Sequence, residues 1–371
     1  MGEPLRMGIV GCGNISAQYL RTLTSADETS VVAVADLDAD KAAHAAATYG
    51  ARAFSVDEIF GVDEIEWILN LTTPAAHEDV SLAAIGQGLS VYNEKPLCAT
   101  VAAAQRVLEA AHAAGVAVGS APDTVLGTGL QTARATLASG AIGRPVFATA
   151  TMAVPGHELW HPAPDFYYAP GGGPLLDMGP YYLTALVTLL GPVAAVYGAA
   201  SRTRDERIIS SGPRKGERIG VAVDSHITAI CEHASGALTT LIMSFDAAAS
   251  QAARIEVHGE EGSMAVPDPN EFHGAVQVHS VGGTWEMVTP SAGYTGAGRG
   301  LGLIDIARSA DRRTGRASAE LGFHVLDVMS SILRSADDGQ RRMVSSTCTV
   351  PDPVPLTELS YARTGGAGQR A

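Results

Sequence analysis

Cysteine is scarce in this 371-residue chain: four, at positions 12, 98, 231 and 348, with no C-x-x-C spacing among them. That excludes a disulfide scaffold and provides neither a zinc knuckle nor a redox pair, so no metal is expected and the thiols are read as reduced. Positive charge is short as well: 25 Lys and Arg stand against 39 Asp and Glu, a formal net charge of −14. So acidic a chain lacks the basic face that general nucleic-acid binding or docking on an anionic membrane requires. No apolar run approaches the ~20 residues of a membrane span. The opening MGEPLRMGIVGCG has no charged-then-apolar leader. The expectation is a cytoplasmic protein whose partner is a small molecule.

What the chain does have is length and apolar content. At ~150 residues per domain it is long enough for two. Its 46% hydrophobic and 17% charged residues fit a globular enzyme. The first third alternates short apolar runs with helical patterns. RMGIVGCG, VVAVAD, IEWILNLT, LSVYNE and VAVGS read as buried strands. Between them NISAQYLRTL has helical spacing, and DADKAAHAAATYG is an alanine-rich helix closed by Gly50. A further helix is expected from Pro74 to Gln87, and one capped by Thr100 that stops at Gly115. Strands alternating with helices predict an α/β fold with a doubly wound parallel sheet, a Rossmann domain over residues 1–122.

The loop GCGNIS joins the first strand to the first helix. Gly11 permits the tight turn, Gly13 lets a pyrophosphate approach the backbone, and free N–H groups at the helix start meet the anion. Ser16 stands where the fingerprint has its third glycine. Asp36 ends the second strand, 23 residues after Gly13, where an acid accepts from the 2′-hydroxyl of a ribose and repels a 2′-phosphate. The cofactor expected is therefore NAD rather than NADP; the alternative is a glycine turn with a chance aspartate.

With NLTTPAAHEDV and NEKPL added, the chain resembles the Gfo/Idh/MocA family of NAD(P)-dependent oxidoreductases. The resemblance rests on Gly11 to Ser16, Thr73 to His77, Glu94 to Pro96, SGAIGRPV at 139–146 and GGGPLLDMG from Gly171. It implies cofactor contacts from Gly11, Gly13, Asn14, Ile15, Asp36, Thr72, Pro74, His77, Glu94 and Lys95. It also implies a catalytic Lys95, positioned by Glu94, and a homo-oligomer, dimer or tetramer. It implies a second, α+β domain over 123–371, built on a large, mostly antiparallel sheet, for substrate binding and oligomerisation. Strand-like runs such as PVFATATMAV, ALTTLIMSF, ARIEVHG and AVQVHS agree with that sheet, as does a helix near FHVLDVMSSILRSA.

Lys95 follows a buried strand at its carboxyl end, where ligands of open α/β sheets gather. There an ammonium can orient a substrate hydroxyl and hold down alkoxide charge. Pro180 should keep a helix from starting before 178–180, which puts Asp177 at its N-terminus and Tyr181 one turn on. Relatives often read D-x-G-x-H-x-x-D here, with the histidine as base. This chain keeps Asp177 and Gly179 but has Tyr181 and Thr184 at the other two places. Lys95, Asp177 and Tyr181 are thus the expected proton-handling group, the cation lowering a phenol pKa that is otherwise ~10. The plainer alternatives are a helix cap for Asp177 and a core aromatic for Tyr181.

In HELWHPAPDFYYAP, Trp160, Phe166, Tyr167 and Tyr168 could stack on a pyranose, with His157, His161 and Asp165 as hydrogen-bonding groups and Tyr182 beyond them; a loop packed by its own aromatics is the other reading. The run 202–220 holds five arginines and one lysine against three acids, either a site for an anionic sugar or, more commonly, a solvated loop or part of a subunit contact. The function expected is hydride transfer between a pyranose carbinol, at C3, and NAD. Two alternatives remain open: a glycosidase that recycles NAD through oxidation, elimination, water addition and re-reduction, and a non-catalytic NAD-binding sensor.

Overall fold

The computed structural model describes residues 3 to 359. The tail TGGAGQRA, expected to fray, lies outside them. The chain divides into two compact units: one holds residues up to Gly127, Tyr294–Gly322 and the chain from Val354, the other Thr128–Gly293 and Phe323–Pro353. A single boundary at 122/123 is therefore a correction to make, because the chain returns to the first unit after leaving it.

The first unit is a six-stranded parallel sheet in the order β3-β2-β1-β4-β5-β6. Its elements are β1 (Leu5–Val10), α1 (Ser16–Ser25), β2 (Thr29–Ala35), α2 (Ala39–Tyr49), β3 (Arg52–Phe54), α3 (Val56–Ile59), β4 (Trp67–Asn70), α4 (His77–Gly86), β5 (Ser90–Asn93), α5 (Val101–Ala114) and β6 (Val118–Ser120). The central strands are apolar throughout because helices cover both faces. All residues of β4 and β5 are buried. The caps read from sequence hold: the Thr100 side chain accepts from Ala103 N–H, and Gly50 and Gly115 sit at φ 74° and 66°. The helix expected from Pro74 begins as a 3-10 turn over Pro74–Ala76 and becomes α-helical at His77. The returning segment carries α9 (Leu301–Arg308) and is anchored by Asp123, whose Oδ2 accepts from Gly300 N–H at 2.9 Å and Gly302 N–H at 3.0 Å.

In the second unit, β7 (Pro145–Ala153), β8 (Val193–Ser201), β11 (His226–His233), β12 (Leu238–Ser244), β13 (Ile255–Gly259), β14 (Gly262–Val266), β15 (Val276–Ser280), β16 (Trp285–Val288) and β18 (Arg342–Met343) form one sheet. Only the β7–β12 pair is parallel among its described neighbours. Helices α6 (Thr128–Ala138) and α8 (Pro174–Leu190) lie on one face. On the other, cross-strand neighbours Phe147 and Leu238, and Ile230 and Tyr197, are all exposed.

Buried His324, in the long helix Ala319–Asp338, ties that helix to β8. Its Nε2 accepts from Val193 N–H at 3.0 Å, so the imidazole must be neutral, and burial pushes its pKa down to about 4 against the opposing pull of Asp327. The unfolded chain binds a proton near pH 6.5 and the folded one does not until about 4. Stability is therefore lost as pH falls through that window, by about 3 kcal/mol. In urea melts between pH 7 and 4, His324→Gln should lose less stability on acidification than wild type by about that amount. Parallel pH profiles for the two proteins would refute the assignment.

Candidate active site

In the first unit the chain makes its glycine turn at the point where the strand order reverses, between β1 and β4. Gly11 is at φ +102°, and a Cβ there would lie 2.7 Å from the Leu71 carbonyl carbon, so only glycine fits. A Cβ on Gly13 would meet nothing within 4 Å; no protein atom demands glycine there, and the open space suits a ligand approaching the backbone. Ser16, in place of the third glycine, turns its hydroxyl inward to the Gly13 carbonyl at 2.7 Å and closes the turn. Helix α1 carries no side-chain cap. The backbone itself closes the first turn, Ser16 N–H and Gln18 N–H bonding the Gly13 and Ile15 carbonyls at 3.1 and 3.0 Å, with exposed Asn14 and half-buried Ile15 at its mouth. Asp36 accepts Cys12 N–H on Oδ2 at 2.7 Å and Asp38 N–H on Oδ1 at 2.8 Å. Both oxygens are fixed in direction and each keeps a lone pair for a ribose hydroxyl.

Behind the carboxyl ends of β4 and β5 lies a polar network that sequence reading did not single out. Asn70 Nδ2 donates to Asn93 Oδ1 at 2.9 Å, and Asn70 Oδ1 accepts from the Thr72 hydroxyl at 2.6 Å and from its N–H at 3.2 Å. Asn93 Nδ2 donates to Ser81 Oγ and the Leu97 carbonyl. Adjacent asparagines ending two neighbouring strands were the available signal. His77 belongs to this network rather than to a cofactor. It is fully buried, with its nitrogens 2.9 and 3.1 Å from the Pro96 and Thr72 carbonyls, and burial lowers its pKa. The expected contact from His77 is therefore corrected to a tie between the two loops; Thr72 and Pro74 are half-buried.

Glu94 is 7% exposed, accepts from the Tyr19 hydroxyl at 2.9 Å and takes the Lys95 N–H at 2.6 Å. Its carboxylate thus fixes the backbone of half-buried Lys95.

In the second unit, α8 starts four residues earlier than Pro180 seemed to allow. Gly173, at φ 92°, precedes Pro174 in the first turn, and Pro180 lies inside the helix. It removes one N–H, and the surrounding burial of α8 on nearly every side holds the helix despite that loss. Asp177 is thus in the first turn, its own N–H bonded to Gly173 O at 3.1 Å, and is not the N-cap. Gly172 is the tight point of the lead-in: a Cβ would lie 2.5 Å from Phe166 O.

The imidazole missing at position 181 arrives from upstream. His157 Nε2 lies 2.9 Å from Asp177 Oδ2, and the two side chains are 10% and 16% exposed. The ring is packed by Tyr167, Phe245 and Trp160, with centroids at 4.1, 4.5 and 5.1 Å. Its Nδ1 is buried and, among the described residues, has no hydrogen-bond partner. Tyr181, one turn beyond Asp177, is 4% exposed.

Beneath His157 lies a buried charge network. The Tyr168 hydroxyl accepts His157 N–H at 3.1 Å and donates to Glu158; Arg207 Nη1 bonds Glu158 at 2.8 Å, and Nη2 bonds Asp246. Two substrate expectations are corrected here. Tyr168 and Tyr182 are fully buried, their hydroxyls pushed up by desolvation, and neither offers a face to a sugar. Trp160 is 59% exposed and His161 half-buried. The basic run takes its plainer reading apart from Arg207, which is buried: Arg214 is paired with Asp165 and Glu217, and Arg218 with Glu206, all but half-buried Arg214 being exposed. No anion site is needed to explain it.

A 3-2-1-4-5-6 parallel sheet with this loop at its switch point defines a dinucleotide-dependent enzyme by class. The chain belongs to the GFO/IDH/MocA oxidoreductase family: residues 5–121 match its NAD-binding Rossmann fold and residues 130–265 its C-terminal domain. It is 36% identical to inositol 2-dehydrogenase 3 of Saccharopolyspora erythraea over 113 residues, 30% of this chain and 33% of that one; the match thus spans about a third of that relative. It is 29% identical to 1,5-anhydro-D-fructose reductase of Ensifer adhaerens over 269 residues, covering 70% of this chain and 74% of the other. The crystal structure of an NAD binding oxidoreductase from Klebsiella pneumoniae shares the fold at a TM-score of 0.80 and 22% identity, over 93% of this chain and 100% of that one. No helix among the described residues is long and apolar enough to cross a membrane.

Proposed function

We propose that this protein is an NAD-dependent dehydrogenase of a neutral sugar or cyclic polyol, acting on a secondary alcohol. The observation that carries the reading is the His157–Asp177 pair at 2.9 Å, an imidazole and a carboxylate set in the unit that accompanies the NAD-binding one. The names of the two curated relatives, an inositol dehydrogenase and an anhydrofructose reductase, support a polyhydroxylated substrate.

The cofactor fits the residues present: the uncapped start of α1 takes the pyrophosphate and Asp36 the adenosine ribose. NAD, when bound, supplies the hydride acceptor. Lys95 orients the substrate hydroxyl and offsets the negative charge that grows on its oxygen. Within the second unit the His157–Asp177 pair is the proton acceptor, acting as one unit, the carboxylate stabilising the imidazolium that forms. This moves the proton acceptor from the expected group of Lys95, Asp177 and Tyr181, in which either Tyr181 or Lys95 could accept, to His157.

The test is to incubate the protein with NAD and a panel of sugars, inositols and their glycosides. Net NADH with oxidation at the C3 carbinol is the expected result. Aglycone release without net NADH would mark the recycled-NAD hydrolase instead, and binding of NAD with no turnover on any member would mark a sensor. Asp36→Ala should lower the NAD over NADP preference by at least about tenfold, since it removes both the ribose acceptor and the repulsion of a 2′-phosphate; an unchanged ratio would discard the assignment. We also propose that the open sheet face around Ile230 and Tyr197 pairs two copies. Light scattering should show a dimer or larger species that Ile230→Lys dissociates, and a wild-type monomer at micromolar concentration would end that idea.

A further inference from the structure

The loop that delivers His157 carries more aromatic surface than one sugar ring needs. Trp160 and Phe166 are 59% and 58% exposed, and Leu159, next to Trp160 in the chain, is 46% exposed. They are not scattered. His161 stands among them, its ring 5.3 Å from Trp160 and 5.6 Å from Phe166, and Phe166 lies 3.9 Å from Tyr167, which in turn packs on His157 at 4.1 Å. The rings therefore run as one connected surface outward from the His157–Asp177 pair. Single exposed apolar side chains are ordinary, but a contiguous aromatic patch beside a reactive pair marks a binding surface.

The surface is held in place and carries no net charge of its own. Trp160 N–H and His161 N–H both bond the His157 carbonyl, at 3.2 and 2.8 Å. His161 accepts Ala163 N–H on Nδ1 at 3.1 Å, and burial lowers its pKa, so the ring is neutral at neutral pH. The nearest acid in sequence, Asp165, is ion-paired with Arg214 at 2.5 Å, which also holds Glu217. Arg207 is tied to Glu158 and Asp246. A phosphorylated or carboxylated ligand would find these guanidinium groups already committed, whereas a flat uncharged group would cover ring faces now in water.

We propose that the Trp160–His161–Phe166 surface is a second subsite, beside the His157–Asp177 pair, that takes the flat apolar or aromatic aglycone of a neutral glycoside. The inference rests on the sugar reading above and sharpens its substrate class from free sugar to glycoside. A pyranose at the pair would stack on the inner rings, and its substituent would lie on Trp160 and Phe166.

The test is calorimetric titration of the NADH-loaded protein with matched methyl and 4-nitrophenyl glycosides of glucose, galactose and mannose. In at least one pair the aryl member should bind about tenfold tighter than the methyl member, the worth of one or two added ring contacts. Trp160→Ala and Phe166→Ala should each bring that ratio toward one, and Trp160→Phe should restore most of it. Ratios below about twofold in every pair, or variants that keep the wild-type ratio, overturn the subsite. So does a change in oligomeric state on either alanine substitution, which would make the patch a subunit contact. Aryl-selective binding without NADH formation on any glycoside would leave the subsite standing and remove the dehydrogenase reading.

Discussion

Replacing Lys95 with alanine should lower kcat/KM for the sugar by about a thousandfold while the dissociation constant for NAD changes less than about threefold. The asymmetry follows from where the residue is held. Its backbone N–H is bonded to Glu94, whose other oxygen takes the Tyr19 hydroxyl from α1, so the main chain at the end of β5 is set by groups that the substitution leaves in place. The turn at Gly11, the start of α1 and the Asp36 carboxylate are equally untouched. On the proposed reading, what is lost is a cation that offsets alkoxide charge, and such an offset is worth several kcal/mol of barrier. Lys95→Arg should recover little, because a planar fork cannot place its charge where a compact ammonium did. Steady-state NADH production together with titration of NAD binding checks both halves. A kcat/KM within tenfold of wild type would remove Lys95 from the chemistry.

The parallel sheet was legible because its determinants are local. Strands buried on both faces read as unbroken apolar runs, and the caps at Thr100, Gly50 and Gly115 punctuate the helices between them. Gly11 and Asp36 were legible for the same reason, each fixed by its place at a strand end. What escaped is non-local. Strand β3 was missed because an edge strand, Arg52–Phe54, is largely exposed and has no apolar pattern to show. Helix α8 begins before Pro180 because Gly173 and Pro174 form a better start than the proline forbids, and burial on nearly all sides offsets one lost hydrogen bond. Charge balance misled over residues 202–220: Arg207 counted toward a basic island, yet it is buried between Glu158 and Asp246, partners 49 and 39 residues away.

The His157–Asp177 pair shows the same limit at the reactive end. A search by motif spacing looks for a histidine four residues after the acid and finds Tyr181. The histidine that meets the carboxylate comes from 20 residues before it, brought there by an aromatic loop whose glycines let Gly172 pass within touching distance of the Phe166 carbonyl. Nothing in the spacing of HELWH announces that contact; Tyr167 and Phe245 pack on the ring from elsewhere in the chain, and the Tyr168 hydroxyl holds the His157 N–H.

This placement makes the last prediction a contest between two residues. His157→Phe keeps a ring for Tyr167, Phe245 and Trp160 to pack against and removes only the nitrogens, so the loop should hold. It is expected to lower kcat by roughly a hundredfold to ten-thousandfold, the usual worth of a positioned acid–base group. Asp177→Asn removes the charge that stabilises the imidazolium and should fall in the same range. Because the two act as one unit, the double variant should be no worse than the poorer single one by more than about threefold. Tyr181→Phe should cost less than about tenfold, since the hydroxyl it deletes is not the proton acceptor in this reading. Single-turnover measurements at saturating substrate separate these effects from binding. Should Tyr181→Phe prove the more damaging of the two phenylalanine substitutions, or should the His157 and Asp177 losses multiply in the double variant, the phenol would regain the role of base and the pair would be reduced to support for the loop.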